Sequence, residues 1–257
     1  MRLEARGVSY AYDAAHDVLH GVDFGVGAGE VAFVLGANGS GKTTLLDCLA
    51  GLRSPRLGAV AYDGRDLTRV PPRQRARHIG LVPQIHEPVF AYTVGQVVLM
   101  GRAARLGPFA RPGRRDWDAV DRALGAVELT ALRDRPYTET SGGERQLALI
   151  ARGLAQGAAC LLMDEPAAHL DPHHQHDVFS AVARLASDGR TFVVTSHQPN
   201  NALLYADRVA FLIDGRIAAQ GPPRDAITEG ALRAAYGMDF ELVDGQNGLR
   251  AVLPLGR

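Results

Sequence analysis

Apolar and polar residues alternate through residues 1–35, with turn-forming stretches at 13–16 and 27–29, which predicts antiparallel strands in an N-terminal β-subdomain. Residues 30–35 (EVAFVL) form a denser β-branched run that reads as a buried strand, and residues 43–51 behind a glycine-rich loop read as helix. Beyond Pro83 the period changes to that of helices. From Asp118 to Leu129 apolar positions recur at Ala119, Val120, Ala123, Leu124 and Val127. Strand-like runs return at 158–164, 191–196 and 207–221, and the chain ends in a short helix and a hairpin. The pattern predicts an α/β fold: a mixed, mainly parallel sheet flanked by helices, with the antiparallel β-subdomain before it and a helical subdomain inserted into it. Residues 1–257 are expected to form a single domain, divided at 83, 157 and 221 into β-subdomain plus first core half, helical insert, second core half, and C-terminal helix and hairpin. No internal repeat or low-complexity tract interrupts it.

Composition narrows the function classes. The 257 residues carry 28 basic and 28 acidic side chains, so no net field draws the chain to nucleic acid or anionic lipid. Cys48 and Cys160 lie in apolar stretches without disulfide or zinc spacing, which fits a reducing compartment. The first ten residues lack the apolar core of a signal peptide, and no window approaches 18 uninterrupted apolar residues. A membrane role would therefore come through a partner. Lys42 is the only lysine; every other cationic side chain is arginine. One position evidently requires a compact ammonium on a flexible stem.

That position lies in Gly36-Ala37-Asn38-Gly39-Ser40-Gly41-Lys42-Thr43-Thr44, which satisfies G-x-x-x-x-G-K-S/T between a strand and a helix. Gly36, Gly39 and Gly41 allow the backbone to turn successive N–H groups, including those of Asn38 and Ser40, toward phosphates at a helix N-terminus. Lys42 adds a point charge, the Thr43 hydroxyl suits Mg²⁺, and Thr44 suits an α-phosphate oxygen. Downstream, Cys160-Leu161-Leu162-Met163-Asp164-Glu165 is an apolar strand ending in two carboxylates, expected beside the strand that precedes the loop. Asp164 would hold the Mg²⁺ shell. Glu165 could orient or deprotonate the water that attacks a γ-phosphate.

Ser141-Gly142-Gly143-Glu144-Arg145-Gln146 resembles the signature motif of ABC ATPases, with Thr140 and Glu144 in place of the usual leucine and glutamine. Ser141, Gly142 and Gly143 open an amphipathic stretch, so they form a second helix N-terminus, and Glu144 is placed to close a capping box on Ser141. The resemblance implies ATP and Mg²⁺ as ligands, ATP hydrolysis, and a head-to-tail dimer in which the signature of one copy completes the P-loop site of the other. It further implies that Gln84 is the Q-loop glutamine, that His169-Leu170-Asp171 is the D-loop with Asp171 at the nucleotide, and that His197 is the switch histidine. Tyr12 fits the adenine-stacking place better than Tyr10.

The stretches 91–94, 98–102 and 109–112 and the run His197-Gln198-Pro199-Asn200 are similar to the ATPase subunits of importers for iron-siderophore, haem, cobalamin and molybdate complexes. This implies docking on two integral-membrane permeases through a groove near residues 84–102, an indirect link to a substrate-binding protein, a peripheral place on the cytoplasmic face of the membrane, and no nucleic-acid partner. The rival readings are an exporter or lipid-handling subunit and a soluble non-transport ABC ATPase, although the chain has neither the coiled-coil insertion nor the second cassette of the latter. The histidines at 169, 173, 174 and 176 invite a metal reading, but no carboxylate or thiol completes an inward-facing set. Asp116 and Asp118 beside Trp117 read as a solvated helix start.

Overall fold

Alternation along Arg2–Ala11 (β1) and Asp17–Gly27 (β2) buries Leu3, Ala5 and Val8 against Val22, Phe24 and Val26 in an antiparallel pair. The computed structural model describes residues 2–13, 16–84, 92–107 and 109–256. Part of the turn expected at 13–16 and Ala91 of the importer-like run lie outside the described residues, as does the rest of the chain between Gln84 and Tyr92.

Val31–Leu35 (β3), although within the stretch expected to be antiparallel, leaves that sheet for the core, where it is buried at every position. Its place in the antiparallel sheet is taken by Leu57–Tyr62 (β4), which pairs with β1, and Arg65–Asp66 (β5), giving the order β2-β1-β4-β5. The core sheet adds Ile79–Val82 (β6), Cys160–Asp164 (β7), Thr191–Ser196 (β8), Arg208–Ile213 (β9) and Arg216–Gly221 (β10) to β3. Its order is β10-β9-β3-β8-β7-β6, parallel except for β10 at the edge. Strands covered on both faces read as continuous apolar runs, which is why these segments lack alternation. One correction follows: β7 is not beside β3, because β8 lies between them.

Along β3 the side chains still sort by parity. Val31, Phe33 and Leu35 enter the apolar cluster with the helical insert, while Ala32 and Val34 enter the one with the antiparallel sheet. Lys42–Leu49 (α1) packs in the second cluster; Pro72–Arg75 (α2) is a short surface turn. The insert holds Val94–Leu99 (α3), Arg114–Ala126 (α4) and Gly142–Gln156 (α5), and Pro172–Ser187 (α6) and Pro199–Tyr205 (α7) flank the core. The chain closes with Pro223–Ala226 (α8), Glu229–Tyr236 (α9) and the hairpin Phe240–Asp244 (β11) with Arg250–Pro254 (β12). Burial of each Phe or Leu of these clusters contributes about 1.5–3 kcal/mol, so the sheet carries a well-packed frame for its strand ends.

α4 begins at Arg114, four residues before the apolar period becomes visible. Asp116 accepts the Gly113 N–H at 3.0 Å and an ion-paired hydrogen bond from Arg102 Nε at 2.9 Å. It is thus a mostly shielded anchor of the helix start, and only Asp118 is solvated.

Candidate functional site

β3 delivers the chain to Gly36, where a Cβ would lie 2.3 Å from the Leu212 carbonyl oxygen, so only glycine fits the turn. Gly39 and Gly41 adopt φ of +81° and +101°, in the left-handed region that disfavours side chains. α1 then starts without any side-chain cap, leaving its first N–H groups directed at the loop. Lys42 is buried and donates from Nζ to the carbonyls of Gly36 (2.9 Å) and Ala37 (3.0 Å). The same Nζ stands 3.3 Å from Glu165 Oε1.

Three strand ends converge opposite this loop. Asp164, the last residue of β7, accepts the Thr43 hydroxyl at 2.8 Å and, on its other oxygen, the Thr195 hydroxyl at 2.6 Å. Thr195 also accepts the Glu165 N–H at 2.9 Å, so this residue of β8 fixes both acids. Glu165 holds a left-handed φ of +43°, a strained state for a non-glycine residue that its neighbours must impose. Its carboxylate lies between Lys42 and His197, whose Nδ1 is 2.8 Å from Oε2. The hydroxyl and carboxylate pair of Thr43 and Asp164 supplies the hard oxygen donors that suit Mg²⁺. Ser40 Oγ is buried and has no hydrogen-bond partner among the described residues, a loose polar end within the phosphate loop.

These groups border a cleft of about 660 Å³ whose walls include Tyr12, Asn38, Gly39, Gly41, Lys42, Thr43, Thr44, Gln84, Asp164, Glu165 and His197. The two tyrosines of the adenine-side reading differ in their surroundings. The Tyr10 hydroxyl receives a hydrogen bond from Arg53 at 2.9 Å, and that guanidinium also lies 4.6 Å above the Tyr12 ring. Tyr12 itself is 53% exposed, lines the cleft and meets the Thr44 hydroxyl at 3.1 Å.

Ser141, Gly142, Gly143 and Asp171 are not among the residues lining that cleft. Ser141 caps α5: its Oγ accepts the Glu144 N–H at 3.2 Å, and Glu144 Oε2 accepts the Ser141 N–H at 2.7 Å. The Glu144 charge is therefore turned back onto the cap, and the Ser141 hydroxyl hydrogen stays available to a ligand. Asp171 caps α6, accepting the His174 N–H at 3.0 Å and facing His174 Nδ1 at 2.6 Å, which holds its carboxyl below the usual carboxylate range.

Sequence reasoning gave three residues no role at this cleft. Thr195 was readable only as a strand position. His169 lines the cleft, although it entered the reading only in the D-loop motif and among the histidines weighed for a metal. Tyr236 arrives from α9, more than 70 positions beyond Glu165, and burial together with the negative charge of Glu165 raises its phenol well above the ordinary value.

A phosphate cradle facing paired acids at the carboxyl edge of a parallel sheet places the chain among the P-loop hydrolases, which use Mg²⁺. The family model described as ABC transporter matches residues 19–168. The chain belongs to that family, as an ATP-binding and ATP-hydrolysing subunit. It is 42% identical to the hemin import ATP-binding protein HmuV of Nocardia farcinica (strain IFM 10152) over 98% of this chain and 86% of that protein. Among solved structures, an inward-facing ABC transporter described as of metal-chelate type superposes with a TM-score of 0.87 at 33% identity, covering 99% of this chain and 98% of that one. A dimeric ATP-binding cassette in a post-hydrolysis state with ADP and phosphate superposes with a TM-score of 0.74 at 25% identity, covering 86% and 99%. No helix among the described residues is long and apolar enough to cross a membrane.

Proposed function

We propose that this chain powers an importer of metal chelates, with a hemin-like complex as cargo, as a head-to-tail dimer docked on two permease subunits at the cytoplasmic face of the membrane. The observation that carries the engine is the Glu165 carboxylate, strained and clamped between Lys42 and His197 at the mouth of the phosphate loop. The cargo rests on the likeness to a hemin import ATPase along nearly the whole chain. Molybdate and other oxyanions are the weaker alternative.

In this reading Tyr12 stacks on adenine, the N–H groups of residues 36–44 and Lys42 hold the phosphates, and Thr43, Asp164 and Gln84 hold Mg²⁺. When bound, Mg²⁺ neutralises charge on the β- and γ-phosphates. Lys42 exchanges Glu165 for phosphate oxygens, which frees that carboxylate to accept a proton from the water attacking the γ-phosphorus. The bond from γ-phosphorus to the bridging oxygen breaks, and ADP and phosphate form. His197 keeps Glu165 oriented and donates toward the γ-phosphate. Ser141 and Gly142 of the opposing copy add charge-assisted hydrogen bonds that hydrolysis removes, so closure and release follow the γ-phosphate.

A groove of about 440 Å³ lined in part by Ile79 and Leu81 of β6 favours the docking half of the reading. Leu52, Leu81 and Met100 line it with Arg75 and Arg152, and it adjoins the importer-like run at 98–102. The test combines two readouts. Glu165→Gln should slow hydrolysis by about two to four orders of magnitude and give an ATP-dependent dimer in light scattering, which Ser141→Arg abolishes. In a strain lacking the gene, the parent chain should restore uptake of radio-iron hemin and Glu165→Gln should not. Normal turnover in Glu165→Gln would refute its role as base, and undiminished hemin uptake in the deletion strain would refute the cargo.

A further inference from the structure

The two signature glycines are both packed against side chains, Gly142 at the surface and Gly143 buried. A Cβ on Gly143 would lie 2.4 Å from His174 Cδ2 and 2.9 Å from its Cβ, and one on Gly142 would lie 3.0 Å from Leu170 Cδ2. The first turn of α5 therefore rests, backbone against side chain, on His174 in the first turn of α6 and on Leu170 in the segment joining β7 to α6. That segment is stiff. The Ala168 N–H reaches the Glu165 carbonyl at 3.2 Å and the Leu170 N–H reaches the Ala167 carbonyl at 3.3 Å. The Gln175 amide ties both ends of the turn to α6, donating to the carbonyls of Ala167 (3.1 Å) and Leu170 (2.9 Å). The His174 ring is in turn held by Asp171, one carboxylate oxygen on Nδ1 and the other on its backbone N–H.

From Glu165 in the cleft to Gly143 there is thus a continuous path of hydrogen bonds and side-chain packing, through the turn and the first turn of α6. Such packing passes on a displacement that a loose contact would absorb. We propose that His174 is a positioning residue, a wedge locked by Asp171 that makes the signature turn move with the Glu165–Asp171 turn. Resting on the head-to-tail reading, this couples the two nucleotide sites, because the cleft belongs to one site and the signature of the same chain serves the other. His174 touches neither the cleft nor the reacting atoms, and its action is through Gly143.

Hydrogen exchange at the Glu144 and Arg145 amides, which bond Ser141 Oγ and the Ser141 carbonyl, reads the wedge in the free chain. His174→Ala should raise their exchange by about tenfold with the melting temperature and ATP affinity of the cleft little changed. In the Glu165→Gln background it should raise the ATP concentration for half-maximal dimerisation by about tenfold. His174→Phe keeps the wedge and should retain most of the coupling. Gly143→Ala should block dimerisation by collision, and adding His174→Ala should restore part of it, a non-additive pair. Unchanged exchange in His174→Ala, a fall in melting temperature that accounts for it, a Phe variant as defective as Ala, or a double variant no better than Gly143→Ala would each overturn the proposal. If Ser141→Arg also dimerises normally, the head-to-tail reading itself fails; if Ser141→Arg blocks dimerisation while His174→Ala does not, only the wedge fails.

Discussion

At the scale of the residue, the cleft is built from groups whose roles depend on their immediate chain neighbours. A glycine loop between strand and helix, or an acid at the end of an apolar run, carries its geometry with it, so Lys42, Thr43 and Asp164 stand out in the sequence as candidate phosphate and metal groups and Glu165 as a candidate base. Thr195 was not, because its hydroxyl matters only once β8 is inserted between β3 and β7 and brings it to both acids. The different settings of Tyr10 and Tyr12 likewise emerge only with a third partner, Arg53, which donates to the Tyr10 hydroxyl. Tyr12→Ala should weaken ATP binding by about 5- to 100-fold, the range of one lost base–aromatic stack, while Tyr10→Ala should cost far less. Calorimetric titration of the two variants separates them, and equal losses would show that Arg53, released in either case, holds the nucleotide instead.

The element scale is where periodicity and tertiary anchoring part company. The apolar stripe of α4 begins at Ala119, but the helix starts at Arg114, because the Asp116 carboxylate stabilises the first turn by taking the Gly113 N–H and pairing with Arg102. Amphipathic patterning shows where a helix is buried, not where a side chain from another element pins its start. The same limit hid the pairing of β4 with β1, a contact across more than 50 residues of chain that no local pattern encodes. The backbone N–H of Gly113, then Arg102, hold the Asp116 carboxyl below the usual carboxylate range. A carboxyl lowered on folding stabilises above its unfolded pKa and loses that contribution as pH falls through the folded value. The anchor should therefore be intact at neutral pH and fade below about pH 4. Asp116→Ala should lower stability by about 1–2 kcal/mol at pH 7, and the difference from the parent in urea unfolding should shrink toward acid pH. A constant difference down to about pH 3 would assign the loss to packing rather than to the charge.

At the scale of the whole molecule, the cleft and the proposed docking groove meet different partners but share β6 and its exit. Gln84, two residues past Ile79–Val82, lines the cleft, while Ile79 and Leu81 of that strand line the groove. A permease segment seated on Leu52 and Met100 would thus be one short strand away from Gln84. Those two side chains are 66% and 41% exposed, and an apolar surface of this kind beside the engine costs solubility unless a partner covers it. Met100→Asp places a charge in the groove without touching any group of the cleft. Co-purification with the permease and hemin uptake should then fall by an order of magnitude or more, about the effect of one charge desolvated against apolar surface, while ATP-dependent dimerisation in the Glu165→Gln background persists. Loss of both together would mean that the groove supports closure of the ATPase itself. Retention of both would move the permease contact to another face, and the link from cargo to Glu165 would have to run through different residues than β6 and Gln84.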